Sequence, residues 1–195
     1  FDWFFKHIIA HELSHGIGPH QIPVKGPQVE VRQELKDLYS TIEEAKADIT
    51  GLFMLQLFFD KGILPGGADR ERELYTTFLA SAFRTLRFGI TEAHGRGMAV
   101  QFNYLMDRGA FVQRADGTFA VDFEKIKPAV RDLTHNLLTI EAQGDYAAGK
   151  KLLTELGVLR PSVQQALART NRVPTDIEPI FVTADELDPP TRRRH

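Results

Sequence analysis

The chain's chemistry begins at His11-Glu12-Leu13-Ser14-His15. On a regular helix, positions 11 and 15 lie about 40° apart in angle and about 6 Å apart along the axis, so both imidazoles reach one ion. Glu12 sits beside them. A carboxylate there can take a proton from a water whose pKa a zinc ion has lowered to about 7. That is the chemistry behind the H-E-x-x-H spacing.

The competing reading is an amphipathic helix whose histidines face solvent. The preceding residues bear on the choice, because Phe4, Ile8, His11 and His15 are expected on one face, with Phe5, Ile9 and Glu12 flanking it. That face is largely apolar. Two histidines and a glutamate at the end of such a stripe need a partner, and a metal supplies one.

A zinc site needs a third protein ligand, and a hydrolytic site leaves a further position open. The best candidate is Glu44, in Ser40-Thr41-Ile42-Glu43-Glu44-Ala45-Lys46-Ala47-Asp48. Glu44 and Asp48 are four apart and share a helix face. Thr41 with Glu44 also reads as a capping box, and so does Ser40 with Glu43 one residue earlier. The second register frees Glu44 to point inward, and sequence leaves both open. Asp48 is suited to accept the other N–H of a ligand histidine and so fix its tautomer and ring orientation.

These two motifs together resemble the dipeptidyl peptidase III family of zinc metallopeptidases and its bacterial relatives, some of which are fused to, or carry the name of, Nudix hydrolases. In that family a helical histidine-glutamate motif is followed by a Glu-Glu-x-x-Ala-Asp/Glu motif whose second Glu binds zinc. The resemblance implies His11, His15 and Glu44 as zinc ligands, Glu12 as general base and Asp48 as support for a ligand histidine. A third segment, Glu92-Ala93-His94-Gly95-Arg96-Gly97-Met98, is similar to the family's histidine-bearing helix, which implies that His94 assists the transition state. The family's best-known members place three residues between the motif Glu and the second His, whereas this chain has two. A basic residue often found four after the active histidine is Met98 here, and that role is not carried over. The resemblance covers residues 1–110 well and the rest loosely.

The elements that must position these residues follow from periodicity and breakers. Residues 2–16 read as the first helix, ended by Gly16, Gly18 and Pro19. Residues 19–31 read as a loop in which His20 is an exposed residue or a further ligand. A short helical piece over 34–38 leads into a second helix over 42–61, apolar nearly all round in its second half and therefore central to the core. Asp69 is expected to cap a third helix carrying Leu74, Phe78, Ala82 and Leu86. Thr91 is expected to cap a fourth, where His94, Met98, Gln101 and Leu105 share a stripe. Phe111-Val112-Gln113-Arg114 and Thr118-Phe119-Ala120-Val121 flank Ala115-Asp116-Gly117 and read as the one β-hairpin. Helices over 129–143, with a structural His135, over 145–156 and over 161–170 follow. Residues 173–195 read as an extended, proline-bearing tail.

With 195 residues and 43% hydrophobic content the chain can bury one sizeable core, and a single domain over 1–195 is expected. It starts with Phe next to its main motif, which suggests a piece of a longer protein. By the resemblance, that piece is the zinc-bearing lobe, and its partner is a missing N-terminal lobe of the same chain. Net charge is −2 from 24 basic and 26 acidic residues, which gives no electrostatic footprint for nucleic acid or a membrane surface. The absence of cysteine excludes disulfides and thiolate ligands and fits a cytoplasmic setting. The reading is a mainly α-helical zinc-peptidase lobe with one small β-hairpin, acting on short peptides. Two rivals stand beside it: a zinc-dependent hydrolase of a non-peptide bond, and a non-catalytic zinc-stabilised domain of a Nudix-associated protein.

Overall fold

A computed structural model describes residues 1–24 and 26–174. Helix α1 (Asp2–Ser14) is followed by a two-stranded antiparallel ribbon, β1 (Gln21–Pro23) and β2 (Gln28–Glu30), with Ile22 opposite Val29. Helix α2 (Val31–Leu35) passes through a 3-10 turn (Lys36–Leu38) into the long helix α3 (Tyr39–Asp60). Then come α4 (Gly67–Leu86), α5 (Ala93–Asp107), the hairpin β3 (Phe111–Gln113) and β4 (Phe119–Val121), and helices α6 (Ile126–Gln143), α7 (Tyr146–Leu156) and α8 (Pro161–Ala168). The architecture is mainly α, as expected. No described helix is long and apolar enough to cross a membrane.

Helix α3 is the axis. Ile42, Ala45, Ile49 and Leu52 are fully buried along it, and α1, α5 and α6 all pack on it. The expected hairpin forms with Val112 opposite Ala120, and its turn is held by Asp116 Oδ1, which accepts from the Thr118 amide at 2.9 Å and hydroxyl at 2.7 Å. Gly117 there takes φ +79°, a conformation glycine adopts without a Cβ clash. Asp145 caps α7 by accepting from the Ala148 amide at 2.9 Å. Asn103 of α5 donates to the Leu156 and Val158 carbonyls at 2.7 and 2.8 Å and so ties down the end of α7.

Several expectations are corrected. Residues 21–30 hold a second strand pair where a loop was expected; strands of three residues containing Pro23 give too short a pattern to read. Neither capping box exists, because the 3-10 turn runs straight into α3, Leu38 is already helical at its start, and Ser40 and Thr41 lie inside the helix. Asp69 sits within the first turn of α4 behind Gly66, and Glu92, not Thr91, precedes α5.

The orientation of α1 also differs from the apolar-face expectation. Trp3, His7, Ala10, His11 and Ser14 are its buried residues, whereas Phe5, Ile8, Ile9 and Leu13 are exposed. The cause lies on α3, which presents Glu43, Glu44, Lys46 and Asp48 to the incoming helix and draws its polar face inward. Of the tail expected over 173–195, residues 175–195 lie outside the described residues.

Candidate metal centre

Two glycines set how near the helices come. A Cβ built on Gly51 of α3 would lie 2.9 Å from the Ala10 carbonyl carbon and from the His11 amide nitrogen. Helices α1 and α3 thus meet backbone to backbone beside His11. A Cβ on Gly97 of α5 would lie 3.1 Å from the Ala45 nitrogen and 3.2 Å from the Thr41 oxygen, so α5 also lies close on α3, one turn after His94. Glu44, Asp48 and Gly51, spaced four and three apart, form the face of α3 that receives α1.

On this frame one ligand atom each from His11, His15 and Glu44 comes within 4.8 Å of the others. His11 Nε2 is 3.1 Å from His15 Nε2 and 3.4 Å from Glu44 Oε2, and His15 Nε2 is 4.0 Å from the same oxygen. The far side of each ring is occupied. His11 Nδ1 donates to Asp48 Oδ1 at 2.8 Å and His15 Nδ1 donates to Glu43 Oε1 at 2.8 Å. A ring with its proton on Nδ1 presents a bare lone pair at Nε2. The Nε2 atoms of both rings and a carboxylate oxygen therefore converge on one point, where the oxygen faces imidazole nitrogens of His11, His15 and His94. Such a group is costly unless a cation sits among its atoms.

The donor set fits zinc: two imidazoles and one carboxylate are a hydrolytic complement that leaves a position open. Protons compete for the same place. Burial alone would lower the His11 pKa, but the hydrogen-bonded Asp48 and the nearby Glu44 carboxylate raise it to about 10. Asp48 is affected in the opposite sense: burial would raise it, and the hydrogen bond from His11, with its neighbours' charge, holds it below the usual carboxylate range.

Glu12 and His94 border a cavity of about 190 Å³ beside His11, walled by Phe4, Ile8, Met98 and Arg84. His94 Nε2 stands 3.1 Å from Glu44 Oε2, and its ring stacks on His11 at 6.3 Å between centroids. Gln101, grouped with His94 on one stripe, is fully buried and donates to Asp48 Oδ2 at 3.1 Å and to the Gly97 carbonyl at 3.3 Å. His20 is not brought to this cluster and lines a separate surface cavity with Glu30, Arg32 and Tyr39. His135 is exposed on α6.

Other residues of the site escaped sequence reasoning. His7, one turn before His11, lies against the edge of Phe78 and bonds the Asp48 carbonyl through Nε2 at 2.9 Å. Glu43, read only as a capping residue, holds His15. Lys46 is 1% exposed and donates to the carbonyls of Ser14 and Ile17 at 3.0 and 2.8 Å. Gly51 had a visible signal, a lone glycine inside an apolar helical run, which marks a close approach of backbone.

No family model matches the chain. It is 48% identical over 190 residues to Nudix hydrolase 3 from Arabidopsis thaliana, an alignment covering 96% of this chain and 24% of that protein. Among solved structures it superposes on DPP III from Caldithrix abyssi with a TM-score of 0.90 and 48% identity, covering 95% of this chain and 35% of that one. Dipeptidyl-peptidase III from Corallococcus sp. strain EGB gives 0.88 and 53%, with 95% and 34% covered. The chain spans about a quarter of the curated relative and about a third of the two solved structures.

Proposed function

We propose that this chain is the zinc-binding part of a dipeptidyl peptidase III-type metallopeptidase that hydrolyses short peptides. The observation that carries the reading is the convergence of His11 Nε2, His15 Nε2 and Glu44 Oε2, all within 4.8 Å of one another. Zinc held by these three supplies Lewis acidity, polarising a carbonyl and making water acidic near neutral pH. Glu12 takes the proton that water gives up and later passes it to the leaving amine. His94, at the mouth of the cavity, donates from Nε2 to the oxyanion that develops on the scissile carbonyl. Asp48 keeps the His11 proton on Nδ1, which leaves Nε2 free. The likeness to two dipeptidyl peptidase III structures supports a peptide substrate, and the other two-thirds of such a protein would supply the facing wall of the cleft.

The likeness to Nudix hydrolase 3 favours a second reading, in which the same site hydrolyses a non-peptide bond or only stabilises the fold. Glu12→Gln separates the cases. The variant should retain one zinc per chain, measured by elemental analysis after dialysis, and lose peptide hydrolysis in the longest protein carrying this sequence. Unchanged hydrolysis in Glu12→Gln, or a wild-type chain that takes up no zinc, refutes the peptidase reading.

A further inference from the structure

The cavity bordered by Glu12 and His94 has a further wall that the reaction does not use. It belongs to α4, where Ser81, Arg84 and Thr85 face the cavity with two hydroxyls and a guanidinium. Spacings of three and four put these side chains on one side of the helix. The neighbouring side, with Phe78, Ala82 and Leu86, is buried in the core and fixes which way α4 turns.

Helix α4 sets two arginines on aromatic rings of α1. Arg70 lies over Trp3 at 5.2 Å and is paired with Asp2 and Glu73. Arg84 lies over Phe4 at 5.3 Å and has no ion pair among the described residues. The carboxylates of the metal centre are turned elsewhere: Glu44 to His11, His15 and His94, and Asp48 to His11 and Gln101. A guanidinium lying over a ring keeps its N–H edge free, and that edge matches a carboxylate in two parallel hydrogen bonds. The ring beneath restrains the side chain, so less freedom is lost when an anion binds.

The volume of about 190 Å³ is below the roughly 300–1,000 Å³ of a site that encloses a whole small ligand, so the cavity takes one residue of a longer substrate. Phe4, Ile8 and Met98 offer apolar surface to the stem of that residue, and Arg84 offers charge to its tip. We propose that Arg84, aided by the Ser81 and Thr85 hydroxyls, is a specificity-determining residue that binds a carboxylate on the peptide residue next to the scissile bond. That the carboxylate belongs to a peptide rests on the reading of this cavity as a peptidase site. An Asp or Glu side chain and the main-chain terminus of a short peptide present the same two oxygens. A neutral amide in their place has one acceptor and no charge, and the bidentate pair is lost.

The test uses peptides in matched pairs, Glu against Gln on either side of the bond to be cut, each with a free or an amidated C-terminus. Cleavage by the longest protein carrying this sequence gives kcat/KM. Calorimetric binding to its zinc-loaded Glu12→Gln variant gives Kd without turnover. The expected result in both measurements is a carboxylate peptide favoured over its amide twin by about tenfold or more, and a ratio near one when Arg84→Met is introduced, with zinc content unchanged. A ratio that follows the Glu side chain assigns the carboxylate to that side chain; a ratio lost on amidation assigns it to the terminus. No preference with Arg84 present, or a preference that survives Arg84→Met, overturns the proposal. Selective binding that depends on Arg84, with no peptide cleaved, refutes the peptidase reading and leaves the carboxylate site standing. Cleavage without selectivity does the reverse.

Discussion

Gly51→Ala tests whether the helix contact sets the geometry of the centre. The added Cβ would sit 2.9 Å from the Ala10 carbonyl carbon and the His11 nitrogen and 3.1 Å from the Ala10 oxygen. Carbon atoms rest at about 3.5 Å or more, so α1 must retreat by about 0.6 Å at His11 itself. Both sides of the contact are helix backbone, which leaves no flexible side chain to yield. Overpacking of this kind costs about 1–3 kcal/mol. The better helix propensity of alanine returns about 0.5–1 kcal/mol, so a net loss of about 0.5–2 kcal/mol is expected. Metal donors need their distances within about 0.2 Å, and a 0.6 Å retreat of His11 from Glu44 exceeds that about threefold. Zinc affinity should therefore fall by about tenfold or more, equivalent to about 1.4 kcal/mol. Urea unfolding of the metal-free chain reads the first quantity and chelator competition the second. A variant as stable as wild type with unchanged zinc affinity would show that α1 is not held at this distance by the glycine.

Further outcomes follow from the same network. Asp48→Ala, which frees the His11 Nδ1 proton, should weaken zinc binding by about 10–100-fold in a competition assay, and unchanged affinity would remove Asp48 from the site. Lys46→Met should cost about 3–5 kcal/mol in urea unfolding, since it strands the Glu43 carboxylate, 2.8 Å from Lys46 Nζ, in a buried place; a loss below about 1 kcal/mol would mean that water reaches the cluster. Burial first, and then the Glu43 carboxylate, push the pKa of Glu141 on α6 up to about 9, which sets a sign with pH. Between the ordinary carboxylate value and about 9 the folded chain holds a proton that the unfolded chain has released, so stability falls as pH rises in that window. Relative to Glu141→Gln, the metal-free wild type should lose stability with pH by at most about 1.4 kcal/mol per unit. Parallel stability curves for the two proteins would place the proton elsewhere.

The helical class, the order of the helices and the β3–β4 hairpin were legible because each rests on local periodicity and turn residues. The candidate site was legible where spacing encodes chemistry, as in His11-Glu12-x-x-His15 and in the shared face of Glu44 and Asp48. What the sequence hid depends on partners. The Phe5, Ile8, Ile9 and Leu13 stripe points outward because α3 offers charges, not apolar surface, to α1, and a pattern read on one helix cannot see the other. The capping boxes at Ser40 and Thr41 failed because the preceding 3-10 turn already supplies the helical start. Arg84 carries no local signal at all, since the cavity it lines is completed by α1, far back in the chain.

The inverted helix α1 also bears on the order of assembly. Most of its bulky apolar side chains face away from the core, so early collapse driven by hydrophobic burial gives this segment little guidance. Its register on α3 is set by directional bonds, from His11 to Asp48, from His15 to Glu43 and from Lys46 to the carbonyls of Ser14 and Ile17. Bonds of that kind form only once both backbones are already in place. Docking of α1 is thus expected after the helices around Ile42, Ile49 and Leu52 have condensed, with substitutions in α1 changing the unfolding rate more than the folding rate.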